Sequence, residues 1–145
     1  MKTVALLLRD KQSQTVHTVR ADATVLEALQ LLAEHNVGAL PVVDAAGELV
    51  GVVSERDYAR KVVLKGRSSV GTPVSAIMSS PVITVTPQQS IQFCMDLMTE
   101  RHLRHLPVVD NGTLIGLLSI GDLVKEALAE QKTLVRQLEG YIRGE

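Results

Sequence analysis

Two stretches of the chain place apolar residues at helical spacing. Val25, Ala28, Leu29 and Leu32 fall at i, i+3, i+4 and i+7, which is one face of a helix. Ile91, Cys94, Met95 and Met98 repeat the spacing. Thr24 and Ser90 precede the two runs and are good helix N-caps, and Thr24 with Glu27 reads as a capping box. A short β-rich segment comes before each helix, "HTV" in one case and "ITV" in the other. After each come two apolar runs joined by a turn. "LPVVD" and "LVGVV" are joined by a Gly-containing turn, "LPVVD" and "LIGLL" by Asn111-Gly112, and both read as hairpins. A further helix follows each hairpin, from Arg56 to about Leu64 and from Gly121 onward. The order is strand, helix, strand, strand, helix, written twice. Its strand–helix–strand part should be a right-handed crossover with parallel strands.

The two copies align residue by residue. Thr18 meets Thr84 and Pro41 meets Pro107, both at an offset of 66 (84 − 18 and 107 − 41). One residue is lost in the turn, where "AAG" becomes "NG". "GVVSERD" at Gly51–Asp57 then meets "GLLSIGD" at Gly116–Asp122 at an offset of 65 (116 − 51). Such agreement of order, spacing and residue type marks a tandem duplication. One copy forms a three-stranded sheet with helices on one face, which leaves the other face apolar. A unit so small could hardly bury enough surface alone. The expected architecture is therefore mixed α/β, two β-α-β-β-α units packed sheet to sheet about a pseudo-twofold axis. The expected boundaries are 1–66 for the first unit, 67–79 for a linker and the lead-in helix of the second, 80–128 for the second unit and 129–145 for a C-terminal helical extension.

Composition narrows the class. The apolar share is 46% and the aromatic share 2%, so the core must be built from Leu, Val, Ala and Ile. A net charge of −1, from 15 basic and 16 acidic residues, lacks the basic footprint of a nucleic-acid binder. No apolar run approaches the ~20 residues needed to span a bilayer. "TVALLL" is followed at once by "RDKQ" and lacks a small-residue cleavage site, which makes a poor secretory signal. Cys94, the only cysteine, excludes an intrachain disulfide and reads as a core residue. The expectation is a cytoplasmic protein with no nucleic-acid or membrane partner. No nucleophile–base–orienter set, Gly-x-Ser-x-Gly, Walker loop or paired carboxylates are visible, so no enzyme is expected. His102 and His105 lack Cys or carboxylate partners at ligand spacing, so no metal is expected either. His17 and His35 belong to no constellation and read as surface or packed residues.

Tandem "LPVVD…G…GhhSxxD" units, where h is apolar, resemble cystathionine β-synthase (CBS) domains arranged as a pair. The resemblance covers nearly the whole chain, about Val4 to Leu128, with "VSAIMSSPVITVTP" similar to the lead-in of such units and a short helix at Val74–Met78. "TVALLL" would be its degenerate counterpart in the first unit. "SERDYARKVVLKGRSS", "RHLRHLPVV" and "SIGDLVK" look most like the short single-pair proteins of bacteria and plant organelles, with no catalytic or transport domain attached. The resemblance implies a regulatory module that binds adenosine-containing ligands (AMP, ADP, ATP, S-adenosylmethionine or NAD) in clefts between the two units.

The repeated Ser-x-x-Asp turn has its own chemistry. It lies where a strand ends and a helix begins, where first-turn N–H groups lack partners and the helix dipole adds positive charge. That end can receive a phosphate or a ribose oxygen. A carboxylate three residues after the Ser can accept from two neighbouring hydroxyls at once, which a ribose cis-diol offers. Ser54 with Asp57, and Ser119 with Ile120, Gly121 and Asp122, are the candidates. The same pattern also serves as a plain capping box, and the two roles are compatible. By resemblance, adenine sits against Val16, His17 and Thr18 with Ala39, Leu40 and Pro41, and against Val82 to Thr84 with His105, Leu106 and Pro107. Phosphates are met by Arg104 and His105, helped by Arg56 and by Arg67 and Ser68 of the "KGRSS" loop. "RHLRH" can equally be a solvated helix end, and "KGRSS" a surface linker. The first copy has Gly38 and Ala39 where the second has Arg104 and His105, so the sites are unequal. Those basic residues favour a phosphorylated nucleotide. AMP fits a short cleft, and a dinucleotide such as NAD(H) could span two sites.

Toward the C-terminus, Leu123, Ala127, Leu134, Leu138 and Tyr141, with Val124, Leu128, Val135 and Ile142, form a wide helical stripe. An exposed stripe of that kind favours self-association, and CBS pairs commonly dimerise, by resemblance. The expectation is a homodimeric ligand sensor that acts on an unidentified regulated protein. The alternative is a structural dimerisation or protein-interaction module without ligand sensing.

Overall fold

The computed structural model describes residues 2–11 and 16–144. The chain divides into two compact units, one of residues 15–83, the other of residues 1–14 with 84–145. A first helix, α1 (Val4–Asp10), belongs to the second of these.

In the unit of residues 15–83 the elements run β1 (Val19–Arg20), α2 (Val25–His35), β2 (Ala39–Val43), β3 (Leu49–Ser54) and α3 (Glu55–Tyr58). β1 lies parallel to β2, and β2 antiparallel to β3. This is the strand–helix–strand–strand–helix order of the sequence reading. Helix α2 starts where its cap dictates. The Glu27 N–H donates to Thr24 Oγ1 at 3.2 Å, and the Thr24 N–H to Glu27 Oε2 at 3.3 Å. Its buried face is Val25, Ala28 and Leu32. Thr24→Ala should cost about 1 kcal/mol, read as a lower denaturation midpoint with an unchanged slope. After α3 the helix widens to a π-helical turn over Ala59–Val63, with the Leu64 N–H donating to the Ala59 carbonyl at 3.1 Å. The expected helix over 56–64 is thus α-helical only in its first turn.

The other unit repeats the plan with α4 (Ile91–Arg101), β4 (His105–Asp110), β5 (Thr113–Ser119) and α5 (Ile120–Ile142). Ile91, Cys94 and Met98 form the buried face of α4, and burial pushes the Cys94 thiol up. Asn111 (φ 50°) and Gly112 (φ 79°) make the β4–β5 turn, the left-handed pair that a tight hairpin needs. The expected strand "ITV" shrinks to a single parallel bridge, Val85 with Val108. The reason is one residue. In the first copy the Ala21 N–H donates to the Val43 carbonyl at 2.9 Å and extends the pairing. Its counterpart (21 + 66 = 87) is Pro87, which has no N–H to give.

The lead-in segments are distributed differently from the sequence reading. Residues 67–79, expected to lead into the second copy, fold with the first: Val74 and Ile77 join the core of Val19, Val25, Ala28, Leu32, Leu40, Val42, Val53 and Val62. The Val74 N–H donates to the Ala23 carbonyl at 2.8 Å, and the Ser75 N–H to the Ala21 carbonyl at 3.0 Å. Helix α1 does the same for the second copy. The Val4 N–H donates to the Gln89 carbonyl, and the Ala5 N–H to the Pro87 carbonyl, both at 2.9 Å. Each lead-in thereby satisfies carbonyls in the link between first strand and helix, which would otherwise lack partners. The segment Val74–Met78, expected as a short helix, is a 3-10 turn over Val74–Ala76.

The glycine three residues before each Ser is explained by these lead-ins. A Cβ at Gly51 would lie 2.8 Å from Met78 Sδ and 2.8 Å from the Ser79 carbonyl oxygen. A Cβ at Gly116 would lie 2.7 Å from Leu8 Cδ2. The repeated glycine is a packing requirement, independent of any ligand.

Candidate functional site

The Ser-x-x-Asp turn closes in the same way in both units. At Ser54 the backbone N–H and the hydroxyl both donate to Asp57 Oδ2, at 2.9 and 3.0 Å. The Asp57 N–H donates back to Ser54 Oγ at 3.2 Å. At Ser119 the N–H donates to Asp122 Oδ2 at 2.9 Å, and the Asp122 N–H donates to Ser119 Oγ at 3.1 Å. The capping reading is therefore realised in full in both copies.

Each turn also carries an ammonium group. Lys61 Nζ lies 3.2 Å from Asp57 Oδ1 and donates to the Ile77 carbonyl at 2.8 Å. Lys11 Nζ lies 3.0 Å from Asp122 Oδ2 and donates to the Leu117 carbonyl at 3.0 Å. The two lysines are not repeat equivalents. The counterpart of Lys61 (61 + 65 = 126) is Glu126, which pairs with Lys2 at 2.8 Å instead. One lysine comes from the helix after the turn, the other from the end of α1. The sequence reading missed both. Lys61 sits four residues after Asp57, a spacing that could have revealed it. Nothing local announced Lys11.

Burial pushes the Asp122 carboxyl up, but the Ser119 N–H, Lys11 and the Ser119 hydroxyl outweigh it, and its pKa lies below the usual aspartate value. A carboxylate whose pKa is lowered on folding adds stability above its unfolded pKa of about 3.9, and that stability is lost as pH falls through the folded value. Carboxyl-carbon NMR should place the Asp122 titration below the ordinary aspartate range. In Lys11→Met it should move up, and the stability lost on acidification should be smaller and complete at a higher pH, because the folded pKa then lies closer to the unfolded one.

The β-ladders bring the segment before each "PVV" to the turn. Ala39 pairs with Ser54, Leu40 with Val53 and Pro41 with Val52. His105 pairs with Ser119, Leu106 with Leu118 and Pro107 with Leu117. The Glu55 N–H donates to the Gly38 carbonyl at 3.1 Å, and the Ile120 N–H to the Arg104 carbonyl at 2.9 Å. Leu40, Pro41, Leu106 and Pro107 are buried, so their side chains serve the core. Arg104, Ile120 and Gly121 are exposed beside the second turn, and His105 is half-buried.

The other expected residues are placed less directly. Val16, His17 and Thr18 run into β1, which pairs with β2, away from the strand that carries Ser54. His17 stacks on His35, ring centroids 3.4 Å apart and planes 8° from parallel, a pairing the sequence did not suggest. Arg56 is exposed in the first turn of α3. In the "KGRSS" loop Ser68 Oγ accepts from the Gly71 N–H at 3.2 Å. Arg67 is exposed, its N–H donating to the Val62 carbonyl at 2.9 Å. Val82 falls in the unit of residues 15–83 and Thr84 in the other. Among the described residues no cluster of three His, Cys, Asp or Glu could hold a metal ion, and no helix is long and apolar enough to cross a membrane.

A carboxylate held as an acceptor, with an ammonium beside it at the start of a helix, can meet a sugar diol and a phosphate together. A family model for the CBS domain matches residues 11–64 and again residues 74–129. This chain belongs to the CBS domain family. The structure is similar to that of a CBS-domain protein of Burkholderia ambifaria, with 52% identity and a TM-score of 0.84, over 90% of this chain and 96% of that one. The chain is 42% identical over 127 residues to the CBS domain-containing protein CBSX3, mitochondrial, of Arabidopsis thaliana. That match covers 85% of this chain and 62% of the relative, so the chain spans less than two thirds of that protein's length. A CBS domain pair solved in complex with 5′-methylthioadenosine and S-adenosyl-L-methionine shares the fold, with 24% identity and a TM-score of 0.78, over 90% of this chain and 98% of that one.

Proposed function

We propose that this CBS pair is a regulatory module that binds adenine nucleotides through its two Ser-x-x-Asp turns and signals their level to a partner protein. The observation that carries the reading is the doubled carboxylate–ammonium arrangement. Ser54, Asp57 and Lys61 form it in one unit and Ser119, Asp122 and Lys11 in the other, with the lysines drawn from unrelated positions. Asp57 and Asp122 take the ribose diol, and the lysines and the exposed Arg104 face the phosphates. AMP, ADP, ATP and NAD(H) are the candidate ligands, AMP first. Both ligands of the similar CBS pair are adenosine derivatives, which suits a fold that grips a ribose.

Sensing requires that the nucleotide bind two states of the protein unequally. A ligand that binds only the folded protein also stabilises it, by about 2.7 kcal/mol at a hundredfold excess over its dissociation constant. Thermal-shift measurements with AMP, ATP, NADH and S-adenosylmethionine test the reading directly. No shift with any of them would leave the second reading, a protein-interaction module without ligand sensing. The exposed apolar stripe of α5 favours that second reading and, under either one, a homodimer.

A further inference from the structure

Helix α5 runs for 23 residues, about 34 Å. Only its first half is held by the body of the protein. Leu123 is buried, Glu126 Oε1 lies 2.8 Å from Lys2 Nζ, and Glu130 Oε1 accepts from the Lys2 N–H at 2.9 Å. From Gln131 to Ile142 every residue is exposed except Gly140. Leu134, Val135, Leu138, Tyr141 and Ile142 are each more than half exposed. A lone helical segment of that length is marginal in water, at the lower edge of the ~12–15 residues at which isolated helices begin to hold.

The exposed residues follow a heptad. Leu128, Val135 and Ile142 recur every seven residues, and Val124, Gln131 and Leu138 do the same between them. This is an a/d seam, with Leu134 and Tyr141 flanking it on one side and Lys125, Lys132 and Glu139 on the other. We propose that α5 pairs antiparallel with α5 of a second copy of this chain. The proposal rests on the homodimer reading above and names its surface.

Charge decides the direction. In an antiparallel pair each a residue faces a d residue. Leu128 then meets Leu138 of the second copy, Val135 meets Gln131, and Ile142 meets Val124. The flanks place Lys125 against Glu139 of the second copy, and the twofold axis makes this opposite-charge pair twice. Lys132 faces its own counterpart, a like-charge contact whose long side chains can diverge into water. On the other flank Leu134 meets Leu134. In a parallel pair Leu134 would lie beside Glu139 and Ala127 beside Lys132, and neither flank would gain an opposite-charge pair.

Sedimentation at micromolar concentration should show a dimer for the wild type and a monomer for Leu138→Glu. Circular dichroism should show the monomeric variant still folded, since Leu138 lies at the surface. Lys125→Glu alone should weaken dimerisation about tenfold, and adding Glu139→Lys should restore it. Under mild oxidation, Val124→Cys mixed with Ile142→Cys should form a cross-linked heterodimer. Val124→Cys alone should not cross-link. The native Cys94 is buried and stays silent. Self-linking by Val124→Cys alone would mean a parallel pair and overturn the antiparallel assignment. A Leu138→Glu protein that remains dimeric would place the interface elsewhere, overturning this proposal while the homodimer reading stands. A monomeric wild type would overturn both.

Discussion

AMP or ATP is expected to raise the melting temperature of the wild-type protein, and the double variant Asp57→Asn/Asp122→Asn is expected to lose most of that rise. Asparagine keeps an oxygen that can accept from the Ser54 or Ser119 N–H, so the caps survive in weakened form. What is lost is the negative charge that meets the ribose hydroxyls and balances Lys61 or Lys11. A hydrogen bond to a charged group is worth about 1.5–3 kcal/mol, which is roughly a 10- to 100-fold loss of affinity. At a ligand concentration a hundredfold above the wild-type dissociation constant, stabilisation should fall from about 2.7 to about 0.4–1.4 kcal/mol. The single variants should differ. Arg104 and His105 accompany only the second turn, so Asp122→Asn should remove more of the response than Asp57→Asn. A double variant that responds like the wild type would sink the assignment of ribose to these carboxylates.

Gly51→Ala is expected to destabilise the protein by about 1–3 kcal/mol, and Gly116→Ala by clearly less. The two glycines look interchangeable in the repeat, but their neighbours differ in kind. At Gly51 the new methyl group would press on the Ser79 carbonyl oxygen at 2.8 Å. That carbonyl accepts from the Val52 N–H at 3.2 Å, and the Ser79 N–H donates to the Val52 carbonyl at 2.8 Å, so it cannot retreat without breaking the pair. At Gly116 the nearest atoms belong to the Leu8 side chain, whose end can rotate. Urea denaturation of the two variants makes the comparison. Equal costs would mean that the lead-in over 74–79 gives way as readily as a leucine side chain.

Much of the local structure was legible in the residues. The α2 and α4 faces followed from periodicity, the caps from Thr24, Ser54, Ser90 and Ser119, and the β4–β5 turn from Asn111-Gly112. These features depend on contacts within a few residues, and short-range patterns carry them. The Ser-x-x-Asp turn was legible for the same reason, because cap and carboxylate lie three residues apart. The stacking of His17 on His35 was not, since one precedes β1 and the other ends α2.

The sequence by itself determined that one strand–helix–strand–strand–helix unit is written twice, where its helices begin, and which acidic turns the two copies share. Only the tertiary structure decided which lead-in serves which copy. That choice brings Lys11 to Asp122 and sets the Ser79 carbonyl against Gly51. It depends on backbone donors finding carbonyls that a distant part of the chain leaves unpaired, and on side chains meeting across that fit. Neither partner's local pattern contains that information.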